Sequence, residues 1–334
     1  MISRVAESCF WMCRYMERVE STARILAVNR AFVMTANLPA SARWRPMVIA
    51  VGEEPSFLNG HGEAAMNDGA AVQHYLTWDK DCPVSILTSL KWARENARTI
   101  RETVSQEMWR SVNGFWLWLN GAEAQHLHQH HRHRFYEQIL QYCQHFMGVC
   151  YGTMLREPPY DFMRIGFYAE RAGQTARLLD VHRHMLGDTP RSAPAAEESL
   201  FWTAVLRSCS AYDMYLRRSR RTLSAESVFR FLVLEPVFPR AIRYALEQVR
   251  RLLQQVRPAD NLTIGATSVA MATALVARID GLRHAPLEDL HQTLTDIVDA
   301  TAELCGAISS DFFNPTASLL SDPTAEADRS HPAP

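Results

Sequence analysis

Tyr15-Met16-Glu17-Arg18-Val19-Glu20-Ser21-Thr22-Ala23-Arg24-Ile25-Leu26-Ala27-Val28-Asn29-Arg30 returns near mid-chain as Tyr168-Ala169-Glu170-Arg171-Ala172-Gly173-Gln174-Thr175-Ala176-Arg177-Leu178-Leu179-Asp180-Val181-His182-Arg183. Nine of the sixteen positions are identical at a constant offset of 153. Self-similarity of this density predicts an internal duplication. Apolar positions drift between the copies, Met16 to Ala169 and Val19 to Ala172, while Glu, Arg, Thr and Arg return unchanged. The copies have kept a polar surface.

Around this stretch, apolar groups recur at Ile2, Val5, Cys9, Met12, Met16, Val19, Ala23 and Leu26. Spacings of three and four are those of a helix packing in a bundle. The same seam continues in the second copy at Phe162, Ile165, Ala169, Ala172, Ala176 and Leu179. Pro158-Pro159 suits the start of that helix, and Gly187 with Pro190 its end. A fainter likeness relates Trp44 through Val51 to Trp202 through Cys209. Pro83, Ile86, Leu90 and Arg94 likewise match Pro239, Ile242, Leu246 and Arg250, at an offset of 156. No run alternates with period two. The expected fold is all-α, an internally duplicated helical bundle with two pseudo-symmetric halves of about five helices each, 1–156 and 157–313. Turn formers from Gly52 to Gly69 predict a loop, residues 187–197 a linker, and 314–334 a disordered tail.

The 334 residues carry a net charge of −1, so no overall field draws the chain to nucleic acid or to an anionic membrane. The basic residues are nearly all arginine, lysine standing only at Lys80 and Lys91. Arginine supplies planar forks suited to carboxylates and phosphates. Seven dispersed cysteines without a CxxC pair, and no leader or membrane-spanning apolar run, predict a soluble cytoplasmic protein with reduced thiols. Phosphate-binding glycine loops, GxSxG, HExxH and paired Glu-x-x-His are all missing, so neither a cofactor nor a metal is expected.

At 100° per residue, Glu17, Glu20 and Arg24 share a stripe well away from the seam, and Glu170 and Arg177 share its counterpart. Two readings follow. The stripes face each other across a pseudo-twofold axis and line a charged groove, or Glu–Arg pairs lock each helix to its neighbours. Arg94, Glu95 and Arg98 form a fork for one carboxylate or phosphate, or an ordinary surface ion-pair cluster. Arg94 has a counterpart in Arg250, whereas Glu95 has none. Pro239 at a helix start would place Arg240 beside free backbone N–H groups as an anion site, or simply begin a helix. The run Arg217-Arg218-Ser219-Arg220-Arg221 reads first as cations at a helix C-terminus. His126, His128, His130, His131 and His133 read as a polar connector between two helices rather than a metal site.

Ile2 through Ser8, followed by Trp11-Met12-x-Arg14-Tyr15-x-Glu17-Arg18-x-Glu20-x-Thr22-Ala23-Arg24, resembles the opening of the bacterial alpha-E family. Ala93-Arg94-Glu95-Asn96-Ala97-Arg98, Glu170-Arg171 with Thr175-Ala176-Arg177, and Phe231-Leu232 with Phe238-Pro239-Arg240 match its other recurring motifs in order. The match spans residues 1 to about 313. Cys13 departs from it, where a small residue, usually glycine, is typical. The resemblance implies an all-helical protein whose usual genomic neighbour is a circularly permuted ATP-grasp protein. A transglutaminase-like protein is often nearby, and sometimes a proteasome-like peptidase. Those are the expected partners. No catalytic residue carries over.

Three functions follow from the residues and the resemblance together. The first is a substrate-holding accessory subunit of an ATP-grasp-linked amide-forming or peptide-modifying system, with Arg14, Glu17, Arg18, Arg24, Arg94, Glu95, Arg98, Glu170, Arg171, Arg177 and Arg240 as candidate binding residues. The second is a scaffold docking those partners through Trp109, Phe115, Trp116 and Trp118, against which helical spacing points to core burial for most of these side chains. The third is an independent enzyme using Glu17 and Glu170 as acid and base.

Overall fold

The computed structural model describes residues 3–36, 38–186, 195–219, 223–283 and 290–314. Among them every regular element is helical. The first half holds α1 (Ser3–Thr35), α2 (Ala40–Arg43), α3 (Arg45–Ala50), α4 (Glu54–His61), α5 (Gly69–Trp78), α6 (Ile86–Thr99), α7 (Gln106–Leu119), α8 (Ala122–His130) and α9 (Arg132–Thr153). The second holds α10 (Pro158–Leu186), α11 (Ala195–Ser208), α12 (Tyr212–Arg218), α13 (Ala225–Leu234), α14 (Ile242–Val256), α15 (Ala266–Gly281) and α16 (Leu290–Ile308). Short helices raise the number per half above the expected five. The tail from Pro315, residues 187–194 of the linker, and Arg220-Arg221 lie outside the described residues; the last part of the linker opens α11.

Helices begin where side chains can take the free N–H groups of the first turn. Asp68 accepts from the Ala70 amide, Ser85 from Thr88 and Ser105 from Met108, at 2.8, 3.1 and 3.1 Å. Ser224 and Ser227 close a reciprocal capping box on α13. α14 buries Ile242, Ala245, Leu246, Val249, Leu252 and Leu253 on one side only, an ordinary amphipathic helix. α1 and α10 differ. Their seams are buried as the spacing predicts, Cys9, Met12, Val19, Ala23 and Leu26 at 0–1% exposure. So, however, is the polar stripe opposite: Glu17, Glu20, Glu170 and Arg171 are buried too.

The reason is position. α1 and α10 pack on each other at the centre of the molecule; α6 and α9 flank α1, while α14 and α16 flank α10. α3 crosses to α10, and α11 crosses to α1. The order of neighbours is thus the same on both sides, and a single apolar cluster runs through both. Phe10 touches Gly166, Glu17 meets Arg171, and Ile25 lines a small void with Leu178, so the two central helices run in the same direction. Gly166 sets their separation: a Cβ there would fall 2.1 Å from the Phe10 carbonyl oxygen.

Three expectations need correction. Gly52–Gly69 is not an open loop but contains α4 and a 3₁₀ turn over Glu63–Asn67, because Phe57 and Met66 are fully buried anchors. The histidine tract is helical on both sides of His131. His128 turns inward, and burial lowers its pKa to about 4. α14 begins after Ala241, so Pro239 and Arg240 sit in the preceding turn. In keeping with its helical spacing, Phe115 is core, stacked on Tyr142 at 4.8 Å, which leaves Trp109, Trp116 and Trp118 half-buried around it. No helix among the described residues is long and apolar enough to cross a bilayer. The seven cysteines are buried, free thiols.

Because the Gly166 contact is with backbone, no side chain can yield. Gly166→Ala should destabilise the fold by about 2 kcal/mol or more, in the range of core overpacking, read as a lowered midpoint in urea denaturation. Gly148→Ala, with open space around its Cβ position, is the control.

Candidate functional site

The Glu-Arg dipeptide occurs twice in the chain, at Glu17-Arg18 and Glu170-Arg171. On parallel neighbouring helices the two exchange partners. Arg18 donates to both oxygens of Glu170 at 2.7 and 3.0 Å, and Arg171 donates to both oxygens of Glu17 at 2.8 and 3.1 Å. Two bidentate forks therefore cross the helix contact in opposite senses, the strongest geometry available to a guanidinium and a carboxylate.

Each fork has a second arginine. Arg14 donates to Glu170 Oε2 at 2.9 and 2.8 Å, one turn before Arg18. Arg240, from the turn before α14, reaches Glu17 at 3.2 Å and Glu20 at 2.5 Å. Arg24 closes on Glu20 from one turn along α1. Gln174 adds an amide donor to Glu170 at 3.0 Å. Aromatic faces cover the cations: Phe167 lies 3.9 Å from the Arg171 guanidinium, Trp11 4.8 Å from Arg14, and Tyr15 5.5 Å from Arg18. Backbone carbonyls finish the work, Pro239 accepting from Arg171 at 3.5 Å and Arg240 from Thr175 at 3.2 Å.

Burial and charge act against each other here. Burial would raise the pKa of Glu170, but Arg18 and Arg14 outweigh it and hold the carboxyl far below its ordinary value. Burial likewise opposes Glu20, where Arg240 and Arg24 win and lower it to about 2. Glu17 goes the other way: its burial exceeds what Arg171 and Arg240 return, with Glu20 adding repulsion, so its pKa is raised. Among the described residues the stripes enclose little free space. The void bordered by Glu17, Ser21, Arg171, Gln174 and Arg240 measures about 10 Å³, the lower limit for one water. The lattice is a lock.

The structure therefore joins Arg14, Glu17, Arg18, Arg24, Glu170, Arg171 and Arg240 in one cluster. Arg177 lies at its edge, within electrostatic reach of Glu170, Arg18 and Arg14. Arg240 belongs here by turning inward, not by holding an anion on helix amides. Arg94, Glu95 and Arg98 stand apart on α6. Their fork is filled from within, Glu95 taking Arg94 at 2.9 Å and Arg98 at 2.8 Å, while Arg94 also bonds Asn113 at 2.9 Å. Gln174 was not a candidate from the sequence, and a neutral amide gives no signal there; Glu20 did, sharing the stripe of Glu17. A cleft of about 700 Å³ elsewhere contains none of the candidates and is lined by His74, Trp78, Lys80, His128 and Arg132 among others. No group of three His, Cys, Asp or Glu among the described residues is disposed to hold a metal ion.

The family model for the alpha-E domain, described as a predicted alpha-helical domain with a conserved ER motif, matches residues 1–313. Uncharacterized proteins of Mycobacterium bovis and of two strains of Mycobacterium tuberculosis are 26% identical over 275 residues. The similarity covers 76% of this chain and 30% of each relative, so the chain spans under a third of their length. No solved structure matches.

Removing one partner of a buried pair is far costlier than the pair is worth, about 3–5 kcal/mol. Glu170→Gln strands both Arg14 and Arg18 and should cost that much. Glu17→Gln should cost less, about 1–3 kcal/mol, because Arg240 keeps Glu20 and Arg171 keeps Pro239 and Phe167. Comparing the two by chemical denaturation tests the asymmetry. In acid, the lowered pKa values of Glu20 and Glu170 mean that their stabilisation is complete above the ordinary 4.5 and lost as pH falls, through about 2 for Glu20. Glu17, being raised, has the opposite sign.

Proposed function

The chain belongs to the alpha-E family, and from its geometry we propose that it acts as a non-catalytic accessory subunit that holds an acidic, peptide-like substrate for an ATP-dependent amide-forming partner. The observation that carries this is the state of the motif carboxylates. Glu17, Glu20 and Glu170 each receive at least two arginine partners and none is exposed. A general base must reach the proton it removes. These carboxylates are engaged with guanidinium groups of their own chain, which disfavours their use as an acid–base pair.

The arginines point to the cargo. Six guanidinium groups, of Arg14, Arg18, Arg24, Arg171, Arg177 and Arg240, stand against three carboxylates. A cluster with that surplus favours anions. The partner is the circularly permuted ATP-grasp protein that the family resemblance implies, with a transglutaminase-like protein or a peptidase as further members. The ATP-grasp partner would supply the nucleotide chemistry, while the helical subunit fixes a carboxylate-bearing chain in place, a contribution of orientation. Trp109 and Trp116, half-buried with the Arg94 guanidinium 5.6 and 5.9 Å from their rings, and Trp92, 45% exposed on the same helix as Arg94, would supply aromatic surface for docking that partner.

Co-purification with the neighbouring ATP-grasp protein, followed by ATP turnover on a panel of amino acids and peptides, tests the assignment. A complex should form, this chain alone should turn over no ATP, and turnover by the mixture should survive Glu17→Gln in a folded variant within about threefold. Turnover by the isolated chain, or absence of a complex, overturns it.

A further inference from the structure

At the offset of 153, Arg24 corresponds to Arg177 and Glu20 corresponds to Gly173. The arginine has been kept and its carboxylate has not. In α1, Arg24 closes on Glu20, one turn back on the same helix face. In α10, Arg177 bends toward the same place: its Nη1 lies 3.9 Å from where a Cβ on Gly173 would stand. Thr301 of α16 approaches that point equally closely, at 3.9 Å through its methyl group. Gly173 has an ordinary helical backbone, since the only glycines with positive φ among the described residues are Gly52, Gly62 and Gly265. No conformational need explains a glycine there, and in mid-helix it costs about 1 kcal/mol against alanine.

Arg177 makes no hydrogen bond or ion pair among the described residues, although it is mostly buried. The nearest carboxylate, Glu170, is already taken by Arg14, Arg18 and Gln174. Burial, followed by repulsion from Arg18 and Arg14, lowers the pKa of Arg177 against the pull of Glu170. A guanidinium in that position calls for an anion. Gly173 and Thr301 are buried, while Arg177 is itself partly exposed, so its guanidinium is the part of this position that solvent reaches.

We propose that the position over Gly173, beside Arg177 and Thr301 and within electrostatic reach of Arg14 and Arg18, is a binding site for a carboxylate supplied from outside the chain, in the place that Glu20 occupies on α1. A carboxylate fits better than phosphate: the counterpart it replaces is a glutamate, and one guanidinium with a planar fork is free to receive it. The site deepens the accessory-subunit reading by naming where its carboxylate would sit, and it is tested on the isolated chain, so its failure is distinct from failure of complex formation or of ATP turnover.

The experiment is calorimetric titration of the full chain at constant ionic strength, with thermal melting in parallel. The probes are acetyl-Ala-Glu-Ala-amide, its glutamine analogue, free glutamate and inorganic phosphate. The glutamate peptide should bind and raise the melting temperature, and the glutamine analogue should not. Gly173→Glu should be more thermostable without any ligand and should lose at least about tenfold in affinity for the peptide, the effect of one charge-assisted pair. Arg177→Gln should lose as much; if it does not fold, Gly173→Glu decides alone. Free glutamate binding as tightly as the peptide supports the site and assigns the group to a small molecule, while tighter peptide binding assigns it to a polypeptide. Equal binding of the two peptides, unchanged affinity in Gly173→Glu, phosphate outcompeting carboxylate, or no saturable binding at millimolar concentration would each overturn the proposal.

Discussion

A carboxylate taken out of water must carry its counter-charge and hydrogen bonds with it, or the cost exceeds anything the surrounding packing returns. Where α1 meets α10, Glu17 and Glu170 satisfy that condition chiefly through each other's helix, Arg171 serving the first and Arg18 the second, with Arg240 adding to Glu17 and Gln174 to Glu170. Neither helix can be neutralised alone. The Gly166 contact with the Phe10 backbone then becomes a requirement, since forks of 2.7 to 3.1 Å do not survive a wider separation. Met12, Met16, Val19 and Leu26, buried along the seam, contribute about 1.5–3 kcal/mol each. That apolar face supplies the driving force; the crossed forks fix register and direction. Parallel neighbours place like helix ends side by side, an arrangement that dipoles oppose, so the specificity has to come from side chains.

The two ends of the lattice differ. Around Glu17 the arginines come from three elements, α1, α10 and the turn before α14, and a second carboxylate, Glu20, balances them. Around Glu170 they come from α1 alone, with Arg177 left over on α10. Phe167 stands on α10 where Arg14 stands on α1, covering Arg171 instead of adding a charge. One end is a closed structural joint and the other carries unspent positive charge. The same skeleton thus offers stability on one side and a reason to bind an anion on the other.

The helical class, the two central helices and their apolar seams were all legible in the sequence, because three-and-four spacing is a local property that packing seldom overrides. The repeated Glu and Arg positions marked the surface on which α1 and α10 meet. What periodicity could not show was that this surface faces inward. An angle measured around one helix axis says which residues share a side, and a helix with neighbours on every side has no outer face for the polar stripe to occupy. The same limit explains Gly52–Gly69: turn formers advertised a loop, but Phe57 and Met66 reach the core and hold a helix and a 3₁₀ turn in place.

By itself, then, the chain determined its helices, its seams, its family and the residues worth watching, since these follow from composition and spacing along one dimension. Only the tertiary structure decided who pairs with whom. Of the two readings of the stripes it favoured the interhelical lock, it drew Arg240 away from the helix start into Glu17 and Glu20, and it left Arg177 facing a glycine. Charge compensation acts over a few ångströms between groups more than 150 positions apart, and no one-dimensional pattern encodes that distance.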